Sequence, residues 1–188
     1  QQTLPSDQFE VIVVANDAGP KTPPRDATLL HCATPGSYAA RNVGWRAANA
    51  PRIVFTDADC LPEPAWLAAI ATAHEDTPEA LIAGDIVMQD PQKQTLFSDY
   101  DQVLGLPQAT YVARGYAITA NLSVPVTALD RLGGFDEGRF SGGDIAFCRA
   151  AQQAGFALTF VPDARVTHPP RASFADHLAK LARVRGGQ

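Results

Sequence analysis

The chain has 188 residues, 46% of them apolar, with 15 Lys and Arg against 20 Asp and Glu for a formal net charge of −5. That length and balance suit one globular domain with a real core and exclude a disordered, collagenous or coiled-coil chain. The negative balance argues against a general nucleic-acid binder, which needs a positive surface for the phosphates. No apolar run approaches the roughly 18 residues needed to cross a bilayer, and Gln1-Gln2-Thr3-Leu4-Pro5-Ser6 has neither the basic nor the apolar part of a signal peptide, so a soluble chain is expected. Cys32, Cys60 and Cys148 form no CxxC pair, and an odd number cannot complete a disulfide framework, which points to a reduced, cytoplasmic compartment. The first residue is Gln rather than Met, and a longer parent product is expected from that.

Phe9 to Ala15 is a β-branched run, apolar on nearly every residue, that stops at Asn16-Asp17-Ala18-Gly19-Pro20; it reads as a strand buried on both faces, as in a parallel sheet. Thr28 to His31 reads as a short second strand, and Ser37 to Ala50 as a helix opened by Gly36-Ser37 and stopped by Pro51. Arg52 to Thr56 is the next strand and runs into Asp57-Ala58-Asp59-Cys60, after which Pro62, Glu63 and Pro64 open a helix over Ala65 to His74. Further strands are expected at 81–88, 117–124 and 156–161, and further helices at 92–104, from Gly142 to Ala154, and at 174–183. No repeat or low-complexity linker interrupts the alternation, so an α/β single domain is the expected class.

Ligands collect at the carboxyl ends of strands in open α/β sheets, which singles out several residues. Asp57 and Asp59 directly follow a strand; paired carboxylates repel, and a divalent cation relieves that repulsion, although an ordinary turn with one Asp capping the next helix fits the same spacing. Asp17 ends the first strand, where it suits hydrogen bonds to a base or ribose, or plain turn chemistry. Arg41, one turn inside a helix, makes an anion site with the helix N-terminus, or is solvated. Asp144, after Gly142-Gly143, is either a helix cap or a general base on a glycine-rich loop. His168 heads the one basic segment, with Arg171, His177, Lys180, Arg183 and Arg185 opposed only by Asp176. That segment suits a diphosphate, a solvated helix or an anionic membrane surface.

The order of these motifs is more specific than any one of them. Phe9 to Val14 with Asn16-Asp17, Gly36-Ser37-Tyr38-Ala39-Ala40-Arg41-Asn42, and Phe55-Thr56-Asp57-Ala58-Asp59-Cys60-Leu61-Pro62 with Trp66-Leu67 resemble the GT-A glycosyltransferases of family 2. So do Thr119-Ala120-Asn121-Leu122, Leu132-Gly133-Gly134-Phe135-Asp136-Glu137, Gly142-Gly143-Asp144 with Phe147-Cys148-Arg149, and Val161-Pro162 leading to Val166-Thr167-His168. The resemblance covers about residues 8 to 172.

It implies a Rossmann-like GT-A domain over residues 1–188, with a mostly parallel central sheet flanked by helices. About 8–90 would bind the nucleotide sugar, about 91–172 would form the acceptor side, and 173–188 would be a basic helix. The implied activity is inverting transfer of a sugar from a UDP- or GDP-sugar to an acceptor hydroxyl, assisted by Mn²⁺ or Mg²⁺, in synthesis of cell-envelope polysaccharide. Residue by residue, Asp17, Arg41 and Asp57 match the nucleotide-binding positions, Asp59 and His168 the metal positions and Asp144 the catalytic base. Arg171, Lys180 and Arg183 are candidate diphosphate contacts, and the basic end is a candidate contact to the inner face of a membrane. The family often has an acidic pair where Gly143 precedes Asp144. Its members also begin with a further strand and helix ahead of the strand that here starts at Phe9, and that strand lies mid-sheet, so unpaired backbone groups are expected on the strands it separates. Two other readings are a catalytically deficient module that only binds a nucleotide sugar or a partner, and a sugar nucleotidyltransferase, for which no Gly-rich, basic triphosphate loop is evident near the start.

Overall fold

The β-branched and Ala-rich segments become strands and helices in the expected alternation in the computed structural model, which describes residues 1–17, 22, 25–91, 94–171, 173–178 and 182. Strand β1 (Ile12–Ala15) pairs in parallel with β2 (Thr28–His31). Helix α1 (Ser37–Ala47) leads to β3 (Arg52–Thr56), a short β4 (Leu61–Pro62) and α2 (Trp66–Asp76). Then come β5 (Leu81–Met88), α3 (Leu96–Leu104) and α4 (Gln108–Ala113). The chain continues through β6 (Asn121–Pro125), α5 (Val126–Leu132), α6 (Gly143–Gln153) and β7 (Leu158–His168). Residues 174–178 are helical; the rest of the helix expected to 183, except position 182, lies outside the described residues.

The α/β class holds, but the expectation of a mostly parallel sheet is corrected. The larger sheet has the order β3-β6-β5-β7-β4, and within it only β5 and β7 run parallel. After β5, the chain makes its α3–α4 excursion and re-enters from the same end instead of crossing over, and a same-end return gives antiparallel neighbours. Strands β1 and β3 are not paired with each other, so the described strands form two sheets. Helix α1 spans both. Its Gly44 lies against Val14 of β1, where an added Cβ would be 3.2 Å from a Val14 methyl. Its Tyr38 and Trp45 join the core cluster containing Phe55 of β3, Phe135 and Phe147.

Three local departures have physical causes. The helix expected from 92 starts at Leu96 because Thr95 and Ser98 form a reciprocal capping box. Helix α5, not anticipated, is closed by Gly133 in the left-handed region, with the Gly134 N–H donating to the Leu129 carbonyl. Strand β7, expected to end at 161, continues to His168 across an irregularity: Gly84 pairs with Val161 but Asp85 with Arg165.

Two fully buried asparagines hold the layers together. Asn121 donates to the Asp85 and Ala164 carbonyls at 2.7 and 2.8 Å, bridging that irregularity, and accepts from the Trp66 indole N–H at 2.8 Å. Asn42 of α1 donates to the Phe135 carbonyl at 2.8 Å and to Glu137, and accepts from the Phe135 N–H and the Trp45 indole. Such buried amides specify one docking because any shift would leave them unsatisfied. The turn at Gly133–Glu137 is pinned to α1 in this way. Gln2 also braces the fold, its side-chain oxygen accepting from the Leu67 N–H at 3.0 Å at the start of α2.

Candidate active site

Strand β3 ends at Thr56, and the turn that follows sends its two carboxylates in different directions. The Cys60 N–H donates to the Asp57 carbonyl at 3.0 Å, closing a tight turn. Asp57 accepts from the Arg41 guanidinium at 2.6 Å, a charge-assisted bond between half-buried groups. Asp59, exposed, lies with its carboxylate 3.9 Å from His168 Nε2. His168 is the last residue of β7 and is buried, and its Nδ1 sits 2.7 Å from the Pro169 carbonyl. A carbonyl accepts only from an N–H, so Nδ1 donates there and Nε2 is the ring nitrogen turned toward Asp59, the posture of a metal-ligating histidine. Cys60 Sγ completes a group in which one donor atom from each of Asp59, Cys60 and His168 lies within 4.8 Å of the others. Burial pushes the Cys60 thiol up to about 11, with the Asp57 charge adding to it.

Asp144 sits in the first turn of α6, where three donors converge on its carboxylate. The Tyr38 hydroxyl donates at 3.1 Å, the Ile145 N–H at 3.1 Å and the Thr119 N–H at 3.4 Å. The Tyr38 hydroxyl in turn accepts from the Gly143 N–H at 2.9 Å. Burial, and then the Asp144 charge, raise the Tyr38 phenol above its ordinary value, so it keeps its proton and donates. Gly143 is explained by the same contact: an added Cβ would stand 2.6 Å from the Tyr38 ring. A side chain at position 143 would displace the tyrosine that aims Asp144. A second acid there, as the family often has, would therefore require Tyr38 to move.

Tyr38 and Arg41 are one turn apart on α1, and the Arg41 guanidinium lies 5.6 Å from the centre of the Tyr38 ring. The first turns of α1 thus connect Asp57 to Asp144 through two neighbouring side chains. Sequence reasoning singled out Arg41 and Asp144 but not Tyr38; its i,i+3 spacing to Arg41 was the available signal.

The remaining candidates are placed as follows. Asp17 is exposed at the end of β1, beside Asn16, whose amide donates to the Cys32 and Thr34 carbonyls and accepts from the Gly36 N–H, tying β1 to the start of α1. Arg171 is held by Asp101 of α3: its N–H donates to the buried carboxylate at 2.9 Å and its guanidinium at 3.3 Å. Lys180 and Arg183 lie outside the described residues. All three cysteines are free and buried.

A mixed sheet with flanking helices is the fold of the GT-A glycosyltransferases, and two of the solved structures that share it cover most of this chain. TarS residues 1–349 from S. aureus, in complex with UDP-GlcNAc, superposes with a TM-score of 0.69 at 17% identity over 92% of this chain and 52% of that one. GalNAc-T7 with UDP, GalNAc and Mn²⁺ does so with a TM-score of 0.65 at 14% identity over 87% and 38%. The family model "Glycosyltransferase like family 2" matches residues 5–187, and the chain belongs to that family. Among curated relatives, the glycosyltransferase AglE of Haloferax volcanii is 32% identical over the whole of this chain and 65% of its own length. The pre-mycofactocin glycosyltransferase of Mycobacterium tuberculosis is 31% identical over 82% of this chain and 34% of its own length. The chain thus spans about two thirds of one relative and a third of the other.

Proposed function

We propose that the chain carries the catalytic centre of an inverting glycosyltransferase that moves a sugar from a nucleotide-diphospho sugar to an acceptor hydroxyl. The observation that supports this most is the divergence of Asp57 and Asp59: one carboxylate is engaged by Arg41, and the other stands beside Nε2 of His168. A carboxylate oxygen and an oriented imidazole nitrogen suit a divalent cation, so the donor set fits a metal on the sugar diphosphate. When bound, such an ion neutralises the charge that develops on the leaving diphosphate. Asp17, Arg41 and Asp57 hold the nucleoside, with Arg41 facing the phosphates. Asp144 takes the proton of the acceptor hydroxyl as its oxygen attacks the sugar carbon in line, which inverts that carbon. Arg171, with its charge matched by Asp101, positions α3 in this scheme.

The test is a screen of UDP- and GDP-sugars with and without Mn²⁺ or Mg²⁺, beginning with UDP, the nucleotide in both structural neighbours, followed by thermal shift. A ligand at about 100 times its Kd adds roughly 2.7 kcal/mol to stability, enough for a clear rise in Tm. The rise with UDP is expected to need metal and to be lost in Asp59→Ala. Robust metal-free transfer, or a shift insensitive to Asp59→Ala, would sink the metal-assisted scheme. Tight nucleotide binding without turnover would favour a binding module instead.

The acceptor side carries a second feature. Helix α3 is turned inside out: Ser98 and Asp101 are buried, whereas Leu96 and Val103 are each 86% exposed and Tyr100 and Leu104 more than half exposed. Phe97 and Tyr100 continue the apolar face onto residues 174–178, through ring contacts of 5.7 Å to Phe174 and His177. In sequence this face is followed by Lys180, Arg183 and Arg185. An apolar stripe beside a basic segment fits an anionic lipid surface, and with it an acceptor of the cell envelope. Among the described residues, no helix is long and apolar enough to cross a membrane. Flotation with vesicles of phosphatidylcholine and phosphatidylglycerol is expected to capture the chain, and the double variant Leu96→Asn/Val103→Asn to release it. Equal capture of the variant would refute the contact.

A further inference from the structure

Strand β4 pairs antiparallel with β7, Leu61 opposite Thr167 and Pro62 opposite Val166. One step further along that register sets Cys60 opposite His168. The ladder therefore holds the thiol and the imidazole side by side, while the turn from Asp57 brings in the Asp59 carboxylate. Donor atoms of three chemical types lie within 4.8 Å of one another, and the His168 Nδ1 contact to the Pro169 carbonyl keeps Nε2 available. On its other side, Cys60 packs in the apolar cluster with Trp66, Ile70 and Val166, which limits its motion.

We infer that Cys60 Sγ is a third ligand at the Asp59–His168 cation site, which makes it a mixed oxygen, nitrogen and sulfur site suited to Zn²⁺ or Co²⁺. The inference rests on reading Asp59 and His168 as a metal pair. Hard Mg²⁺ demands oxygen ligands in an octahedron and gains little from sulfur, whereas thiolate with imidazole and carboxylate is the donor set of borderline-soft ions. As the sulfur–metal bond forms, the thiol proton leaves to the buffer. A third ligand would hold the ion more tightly than Asp59 and His168 alone, so Zn²⁺ would compete with Mn²⁺ for the site.

The test uses the metals themselves on the purified chain. Titration with Co²⁺ is expected to produce the near-ultraviolet charge-transfer band of a thiolate–cobalt bond. The band should be absent in Cys60→Ser and retained in Cys32→Ser and Cys148→Ser. By competition calorimetry, Cys60→Ser is expected to lower Zn²⁺ affinity about 10–100-fold and Mn²⁺ affinity by less than about threefold, narrowing the preference that any such site has for zinc. Co²⁺ bound with ligand-field bands but no charge-transfer band would overturn the role of Cys60 and leave the Asp59–His168 pair standing. Failure of Co²⁺, Zn²⁺ and Mn²⁺ alike to bind, with UDP present, would overturn both.

Discussion

Replacing Asp144 by Asn is expected to lower the rate of sugar transfer about 10²–10⁴-fold, the usual worth of a positioned general base, while leaving nucleotide affinity nearly unchanged. The substitution isolates the proton-accepting step. Asn has the size of Asp, and its carbonyl oxygen can still accept from the Tyr38 hydroxyl or the Thr119 N–H, so the geometry at the start of α6 is kept. The ability to take a proton from an attacking hydroxyl is lost. Loss in kcat with little change in donor KM is the signature of an interaction made only in the transition state. Tyr38→Phe provides the comparison: it removes a donor to Asp144 and the acceptor for the Gly143 N–H, so it disturbs aim without removing the base. Its effect should be well below that of Asp144→Asn. Transfer that survives Asp144→Asn undiminished would remove Asp144 from the mechanism.

The largest effect on stability is expected at Gly84, a residue that contributes no side chain to the site. A Cβ there would overlap the carbonyl oxygen of Ala164 and the side-chain amide of Asn121. Neither can retreat cheaply, since the carbonyl is backbone and the amide is fully buried with bonds to Asp85, Ala164 and Trp66. Gly84→Ala should therefore cost roughly 2–4 kcal/mol, from overpacking together with a disrupted buried hydrogen-bond network. Urea unfolding followed by tryptophan fluorescence measures it, and a loss below about 1 kcal/mol would show that the strands give way easily. The change also reaches the site. The irregularity at Gly84 sets the register in which Met88 pairs with His168, so a variant that still folds should bind divalent metal more weakly than the wild type.

Much of the architecture is legible in the residues themselves. Apolar β-branched runs bounded by Pro, Gly and Asp mark β1, β3 and β5 because local periodicity and turn chemistry act over a few residues. The Asp57-Ala58-Asp59 motif at the end of β3, Arg41 inside α1 and Asp144 at the head of α6 are recognisable for the same reason: each lies where an element begins or ends. Less legible are features that depend on partners distant in sequence. The antiparallel direction of β6 follows from where the chain re-enters the sheet, and the seven residues of α5 carry too short a pattern to stand out. Arg171 reads as an available cation until α3 brings the buried Asp101 against it, 70 residues away.

Length and composition set the expectation of a globular chain with a core, the alternation of strand and helix patterns its α/β class, and the motif order its family. Tertiary structure decides what each motif residue does. Tyr38 is 106 residues from the Asp144 that it aims, and Gly143 is glycine because that ring occupies the space of a side chain. Cys60, unremarkable as the residue after two aspartates, stands beside His168 only because β4 pairs with the last residues of β7. Local propensity is written in neighbouring residues, but the direction of a carboxylate and the company of a thiol are set by long-range pairing.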